Sequence, residues 1–297
     1  MAAPKIQYDP EFTERVIRTT GPNANKRLAE VMPSLIRHLH DFAREVNLTV
    51  DEWMAGVLLV NEAGRMSDEK RNEGQLVCDV LGLESLVDEI TSKLLSTSHA
   101  VDTPSAILGP FYRDDPPELK NDQSIVFHIP KGCSWEKQAE EEYTYMWGKV
   151  ISAKTGKPIK GAIVDVWHTA PNGLYEQQDP EQQEYNFRGR FRTDEQGRYS
   201  FYCLRPVSYP VPHDGPAGKI LELLDRQPFR PAHTHMFIRA EGHKSLVTQV
   251  FDGRDPHIED DAVFAVKDEL IVDFKPVEGR KEKFHLEYDI TLGGKDN

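Results

Sequence analysis

RPAHTHMFIRAEGHKSLVTQVF, residues 230–251, decides how the chain is read. In an extended strand successive side chains alternate faces, so His233 and His235 point one way and Thr234 the other. Two imidazoles so placed can share a metal ion. The same pattern also fits two unrelated polar residues on a solvated face. The pair supplies only two ligands, so a metal reading needs at least one or two more donors from elsewhere.

Working outward, HTHMFIRA and SLVTQVF belong to a series of short strand-like runs that begins after Pro104: YTYMWGKVIS, GAIVDVWHT, GRYSFYCLRPV and FHLEYDITL. Turn residues such as Thr155-Gly156-Lys157-Pro158 and Asp194-Glu195-Gln196-Gly197 separate them, and the spacing predicts an antiparallel β-sandwich. The prolines of PVSYPVPHDGP exclude helix and predict an ordered, extended loop. From residue 10 to residue 97 the pattern is helical. Leu28, Met32, Leu35, Leu39, Phe42 and Val46 form one apolar stripe, within which Pro33 predicts a late start or a kink. Thr49 to Glu52 has capping-box spacing ahead of Trp53, Val57, Leu58 and Val60, and a further periodic segment runs from Gln75 through Leu83 to Leu94. The expected organisation is a helical domain over residues 1–104 and a sandwich over residues 105–297, mainly β with an α-helical N-terminal part.

The 297 residues carry 49 acidic and 36 basic side chains, a formal net charge of -13. That balance disfavours a sequence-independent hold on nucleic-acid phosphates or anionic membrane and favours a small-molecule partner. No stretch approaches the roughly twenty apolar residues that cross a bilayer. The N-terminal MAAPKIQYDPEFTERVIR lacks an apolar signal core, so the expected location is the cytoplasm. Cys78, Cys133 and Cys203 have no C-x-x-C spacing and read as reduced structural cysteines.

Candidate partners for the histidines are few. There is no H-E-x-x-H, no cysteine nearby, and the neighbouring carboxylates lie in turns. Tyr175 in PNGLYEQQ and Tyr209 in PVSYPVP sit in loops or strand ends, outside the apolar alternation. Each taken singly also fits an ordinary rim aromatic. Phenolate is a hard anionic donor suited to ferric iron, and a nearby trivalent cation favours the ionised phenol.

The segments GKPIKGAIVDVWHTAPNGLYEQQD, NFRGRFRTDEQGRYSF, RPVSYPVPHDGPAG, RPAHTHMFIRAEGH and LVTQVF together resemble the intradiol ring-cleaving dioxygenases, the group that includes catechol, chlorocatechol and hydroxyquinol 1,2-dioxygenases. Order and spacing agree: a tyrosine after Gly-Leu, a second 34 residues on, and the first histidine of R-P-A-H-x-H 24 after that. The resemblance extends to about residue 275 and is densest over residues 105–251. It implies one Fe(III) per chain held by Tyr175, Tyr209, His233 and His235 with hydroxide, an anionic set that disfavours reduction. It further implies that a catechol binds through both oxygens, displaces Tyr209, and is opened by O2 to a muconate. Arg230 would stabilise developing negative charge, and Gln249 would hydrogen-bond beside the metal; Gln249 also fits a sandwich residue satisfied by backbone. His168, His213 and His243 match no ligand role and read as structural or exposed.

By the same resemblance the pocket walls are Leu76 and Asp79, then Ile107, Leu108, Gly109, Pro110 and Phe111, then Val211, Pro212 and Val263. Asp79, within the apolar LVCDVLG, is expected in a semi-buried space where a carboxyl needs a hydrogen-bond partner, and a third ring hydroxyl would provide one. Hydroxyquinol is therefore the expected substrate, ahead of catechol and then chlorocatechols. The resemblance also implies a homodimer through the N-terminal helices, with room for a phospholipid at that interface. Two rival readings stand. GKVISAKTGKPIKGAIVDVW also resembles the start of metal-free β-sandwich binding modules, which lack the two tyrosines, two histidines and arginine together. A zinc hydrolase would use the histidines but has no need of two phenolates.

Overall fold

The computed structural model describes residues 8–95 and 102–295. The leading MAAPKIQ and the expected end of helical pattern at residue 97 lie outside them. The helices are α1 (Phe12–Arg18), α2 (Lys26–Glu45), α3 (Val50–Met66), α4 (Glu73–Val80), α5 (Leu83–Leu95), α6 (Glu136–Glu141) and α7 (Pro216–Leu223). The chain divides into two compact units between Asn61 and Glu62. That division precedes the change of residue pattern at 104, because α4 packs against α7 and so belongs with the sheets.

In the first unit α2 is capped by Asn25, whose side chain accepts the Leu28 N–H. Pro33 neither delays nor ends it. The helix runs through the proline, giving up one backbone donor. The capping box at the start of α3 forms as read: Thr49 N–H donates to the Glu52 carboxylate at 2.8 Å, and Glu52 N–H returns to Thr49 Oγ1 at 3.3 Å.

In the second unit the single periodic segment expected from Gln75 to Leu94 is two helices. Gly82, with φ of +73°, follows the C-cap of α4 and breaks the run there. Two further helices were not read from sequence, α6 and α7. The prolines of the 206–216 loop do exclude helix until the last of them, Pro216, which starts α7. Among the described residues no helix is long and apolar enough to cross a membrane, and all three cysteines are free.

The strands are β1 (Gln123–Ser124), β2 (Tyr143–Ser152), β3 (Ile163–Trp167), β4 (Arg188–Arg192), β5 (Arg198–Leu204), β6 (Tyr209–Pro210), β7 (Phe229–Arg230), β8 (His233–Arg239), β9 (Leu246–Asp252), β10 (Ile271–Val272), β11 (Lys275–Pro276), β12 (Phe284–Glu287) and β13 (Ile290–Leu292). One sheet runs β1-β5-β2-β12-β11 with β13 also on β2, a second runs β10-β9-β8-β3-β4, and β6 pairs with β7. The expected antiparallel sandwich holds with one correction of detail. The sheets are mixed, since β1 lies parallel to β5, β10 to β9, and both β12 and β13 to β2. FHLEYDITL is two strands, because the chain bends at Tyr288 and its carbonyl passes over Gly148 of β2, where a Cβ would come within 1.8 Å of that oxygen.

The core lies between the two sheets. Met146, Val150, Phe201 and Cys203 from one meet Val164, Val166, Phe191, Met236, Ile238 and Val250 from the other. In β8 the even positions face this core. His233, His235 and Phe237 therefore face outward, as period two requires. That outer face is not solvated: His233 and His235 are each 2% exposed. Aromatic residues of the preceding and following loops, including Phe111, Tyr175 and Tyr209, cover it.

Candidate active site

Register brings the polar groups together on the covered face. His235 stands opposite Trp167 of β3 on one side and Gln249 of β9 on the other. Tyr209 pairs with Arg230 across β6 and β7. Tyr175 arrives on the loop after β3, its ring stacked on Phe111 with centroids 4.6 Å apart.

Four donor atoms converge. Tyr175 Oη lies 3.1 Å from Tyr209 Oη, Tyr209 Oη lies 3.4 Å from His233 Nε2, and His233 Nε2 lies 3.1 Å from His235 Nε2. Donors about 2 Å from a common ion stand about 3.3 Å apart at tetrahedral corners, so this spacing suits a single metal. The tautomer agrees: His233 Nδ1–H donates to the Pro231 carbonyl at 2.7 Å, which leaves the Nε2 lone pair facing the centre. Burial holds both imidazoles well below their ordinary pKa, hence neutral and able to ligate. Burial likewise drives the Tyr175 phenol well above 10, and Tyr209 upward, so neither ionises without a nearby cation. Two neutral imidazoles and two phenols buried around one point, with a lone pair aimed inward, are a donor set that fits a hard trivalent ion.

His235 is oriented differently from His233. Its Nδ1 is buried without a hydrogen-bond partner. Instead the ring is stacked on Trp167, with centroids 4.7 Å apart and planes 7° apart. Gly109, φ +74°, also approaches it closely: a Cβ there would sit 3.3 Å from His235 Cε1.

Arg230, 3% exposed, binds this cluster on one side. Its Nη1 stands 2.9 Å from His233 Nε2 and its Nη2 donates to Gln249 Oε1 at 2.8 Å, while Gln249 Nε2 donates to the Ile107 carbonyl at 2.7 Å. Gln249 is thus tied to a side chain and a loop together. Asp261 completes the shell: its Oδ1 accepts from Arg230 Nε at 3.1 Å.

A narrow cleft opens beside Tyr175, Tyr209, Arg230 and His235 and encloses about 20 Å³. Of the expected walls, Leu76 and Asp79 come from α4, while Ile107, Gly109, Pro110 and Phe111 come from the loop before β1. Val211, Pro212 and Val263 close it. Leu108 does not face the cleft; it packs on the Phe111, Trp167, Tyr175, Tyr209 cluster. Asp79 is 1% exposed and its Oδ1 has no partner. Burial first, then the neighbouring Glu84 carboxyl, push its pKa up to about 9, so it carries a proton at neutral pH.

His168 is buried with Nδ1–H on the Thr169 carbonyl at 2.7 Å, His213 is exposed, and His243 is half-buried in a bridge to Gly294. None joins the donor cluster. Sequence reading missed Asp261, Trp167 and a buried ion pair, Arg188 with Glu176 at 2.8 Å, whose guanidinium lies 5.6 Å from the Tyr175 ring.

Comparison with known proteins agrees over nearly the whole chain. Residues 134–294 match a dioxygenase family and residues 25–98 match the catechol dioxygenase N terminus. An intradiol ring-cleavage dioxygenase of Aspergillus niger is 44% identical over 96% of this chain and 89% of its own. A catechol 1,2-dioxygenase of Candida albicans is 45% identical over 95% of this chain and 91% of its own. Among solved structures, hydroxyquinol 1,2-dioxygenase from Pseudomonas putida DLL-E4 superimposes with a TM-score of 0.80 at 34% identity, covering 95% of this chain and 97% of that one. Likeness at this level and over this length makes the assignment: the chain belongs to the intradiol ring-cleavage dioxygenases, enzymes that open an aromatic ring between two adjacent hydroxyl-bearing carbons.

Proposed function

We propose that Tyr175, Tyr209, His233 and His235 hold one ferric ion per chain, and that the preferred substrate is hydroxyquinol, opened with O2 to a hydroxymuconate. When bound, the ion supplies a Lewis acid that takes both catechol oxygens and draws electron density from the ring. Tyr209 has two tasks. The cleft is about one water in size while Tyr209 is in place, so a ring enters as Tyr209 swings out. Away from the ion its phenol would regain an ordinary basicity, with a reference pKa near 10, and Oη would take a proton from a substrate hydroxyl. The fixed guanidinium of Arg230 faces the same space and stabilises negative charge on ring carbon and oxygen. Trp167 and Phe111 keep water from the buried face.

The observation that carries the substrate choice is Asp79: buried, neutral, with Oδ1 unpartnered in a cleft whose other walls are largely apolar. The third hydroxyl of hydroxyquinol, on ring carbon 4, satisfies it, whereas catechol leaves it bare. Hydroxyquinol should then exceed catechol in kcat/KM by at least about tenfold, close to ~1.4 kcal/mol. The rival reading, catechol itself, is favoured by the name of the Candida albicans relative. Steady-state comparison decides: catechol preferred overturns the hydroxyquinol reading. For the metal, the purified protein should be red-brown, with a visible band that shifts on adding catechol under argon. A colourless iron-loaded preparation refutes phenolate ligation. We further propose that residues 1–104 serve as the dimerisation segment, supported by the exposed apolar row Leu28, Leu35, Leu39 and Phe42 on α2, with a phospholipid accommodated there. A monomer on sizing at micromolar concentration contradicts this.

A further inference from the structure

We propose that Asp261 is the positioning residue for Arg230, and that its one carboxylate clamps the guanidinium and the Val263 wall of the cleft into a single unit. The inference rests on the reading of Arg230 as the substrate-facing cation. Both partners are buried, Arg230 at 3% and Asp261 at 6% exposure. On one side of the carboxylate, Arg230 Nε donates to Oδ1 at 3.1 Å and Nη2 to Oδ2 at 3.4 Å. On the other, the Val263 N–H reaches Oδ1 at 3.3 Å and the Ala265 N–H reaches Oδ2 at 3.0 Å. The loop is wound tightly around it: Phe264 takes a left-handed φ of +59° and donates its N–H to the Asp261 carbonyl at 3.1 Å. The Val263 carbonyl is fixed in turn by Ser85 Oγ at 2.8 Å.

The geometry of guanidinium makes this consequential. Its donors form a rigid planar fork, so holding the Nε and Nη2 edge fixes where Nη1 points. Asp261 and Gln249 together hold that edge, which leaves Nη1 directed at the donor cluster. Loss of the Asp261 clamp frees the plane to rotate and removes the counter-charge of a buried cation. The same loss releases two backbone amides and so moves Val263, a wall against which the ring is sized. Charge placement and ring fit therefore change together, although the two residues touch the ring from different directions.

The test uses the iron-loaded full chain with Asp261→Asn and Asp261→Ala, each alone and combined with Arg230→Gln, assayed on hydroxyquinol and on catechol. For a residue acting through Arg230, Asp261→Asn lowers kcat by about tenfold to a hundredfold with a smaller change in KM. In the Arg230→Gln background the same change lowers kcat by less than about twofold further, since the group to be positioned is gone, while the shift in substrate ratio persists because the Val263 and Ala265 amides are released whether or not Arg230 is present. The hydroxyquinol-to-catechol ratio of kcat/KM shifts by at least about threefold as Val263 moves. Losses that multiply in the double variant, or a ratio that stays fixed, overturn the proposal. If a single variant fails to fold, the Asp261→Asn, Arg230→Gln double variant is read, because it leaves no unpaired buried charge. Failure of that variant to fold also overturns the proposal, for it makes Asp261 purely structural. The substrate reading fails on the rates of the unsubstituted protein. This inference fails on ratios between variants, measured with whichever catechol the protein cleaves.

Discussion

Asp79 offers the most quantitative perturbation. In the folded chain its pKa is pushed from 3.8 up to about 9 by burial and by Glu84. Between those values the folded state keeps a proton that the unfolded chain has released. Stability contributed by this site is therefore fully present below pH 3.8 and is lost as pH rises through about 9. The slope is about 1.36 kcal/mol per pH unit. From pH 5 to pH 8 the site should cost about 4 kcal/mol. Asp79→Asn fills the same space and does not titrate. Urea unfolding of both proteins at pH 5, 6, 7 and 8, compared pairwise so that titrations remote from Asp79 cancel, should show the variant gaining on the parent steadily across the series. A gain of half that size still supports a protonated acid, since Glu84 can relax. Parallel curves, or a parent that gains on the variant as pH rises, would refute it and leave an ordinary ionised carboxylate.

Other outcomes follow from neighbouring residues. Gly109→Ala places a Cβ against His235 in a left-handed backbone, at a strain of about 1–2 kcal/mol; iron per chain, measured by elemental analysis, should fall below that of the parent, and unchanged iron content contradicts a role for the close Gly109 approach in placing His235. Arg188→Met leaves Glu176 buried with Arg113 at 3.3 Å as its one remaining cation among the described residues, so thermal unfolding should report a loss of about 3 kcal/mol or more; a loss below about 1 kcal/mol would place the pair among solvated bridges. Tyr209→Phe should lower kcat by about a hundredfold or more and alter the visible band, because one base and one phenolate leave together. Asp79→Leu should erase the hydroxyquinol advantage while sparing catechol turnover.

What the sequence made legible is what local periodicity encodes. Period two placed His233 and His235 on one face without any knowledge of the second sheet, and the Thr49 to Glu52 box announced α3 because its hydrogen bonds are local. The break at Gly82 was masked because apolar spacing persists on both sides of it. Parallel pairing of β12 and β13 with β2 depends on how the chain returns after 130 residues and more, which no local pattern records. The convergence of Tyr175, Tyr209 and the histidines came from resemblance, with composition supplying only the chemistry of the donors. Asp261 was invisible for a related reason: it meets Arg230 across 31 residues, a separation no local pattern records.

The four donors sit on pieces of chain that only the finished fold assembles: the loop after β3, the short β6, and β8. An unfolded polypeptide offers no comparable cage, so the free energy released when a cation enters adds to the native state by mass action. If the proposed iron site is right, chelation should lower the melting temperature as well as the rate, and iron supply during expression would control how much protein survives to be assayed.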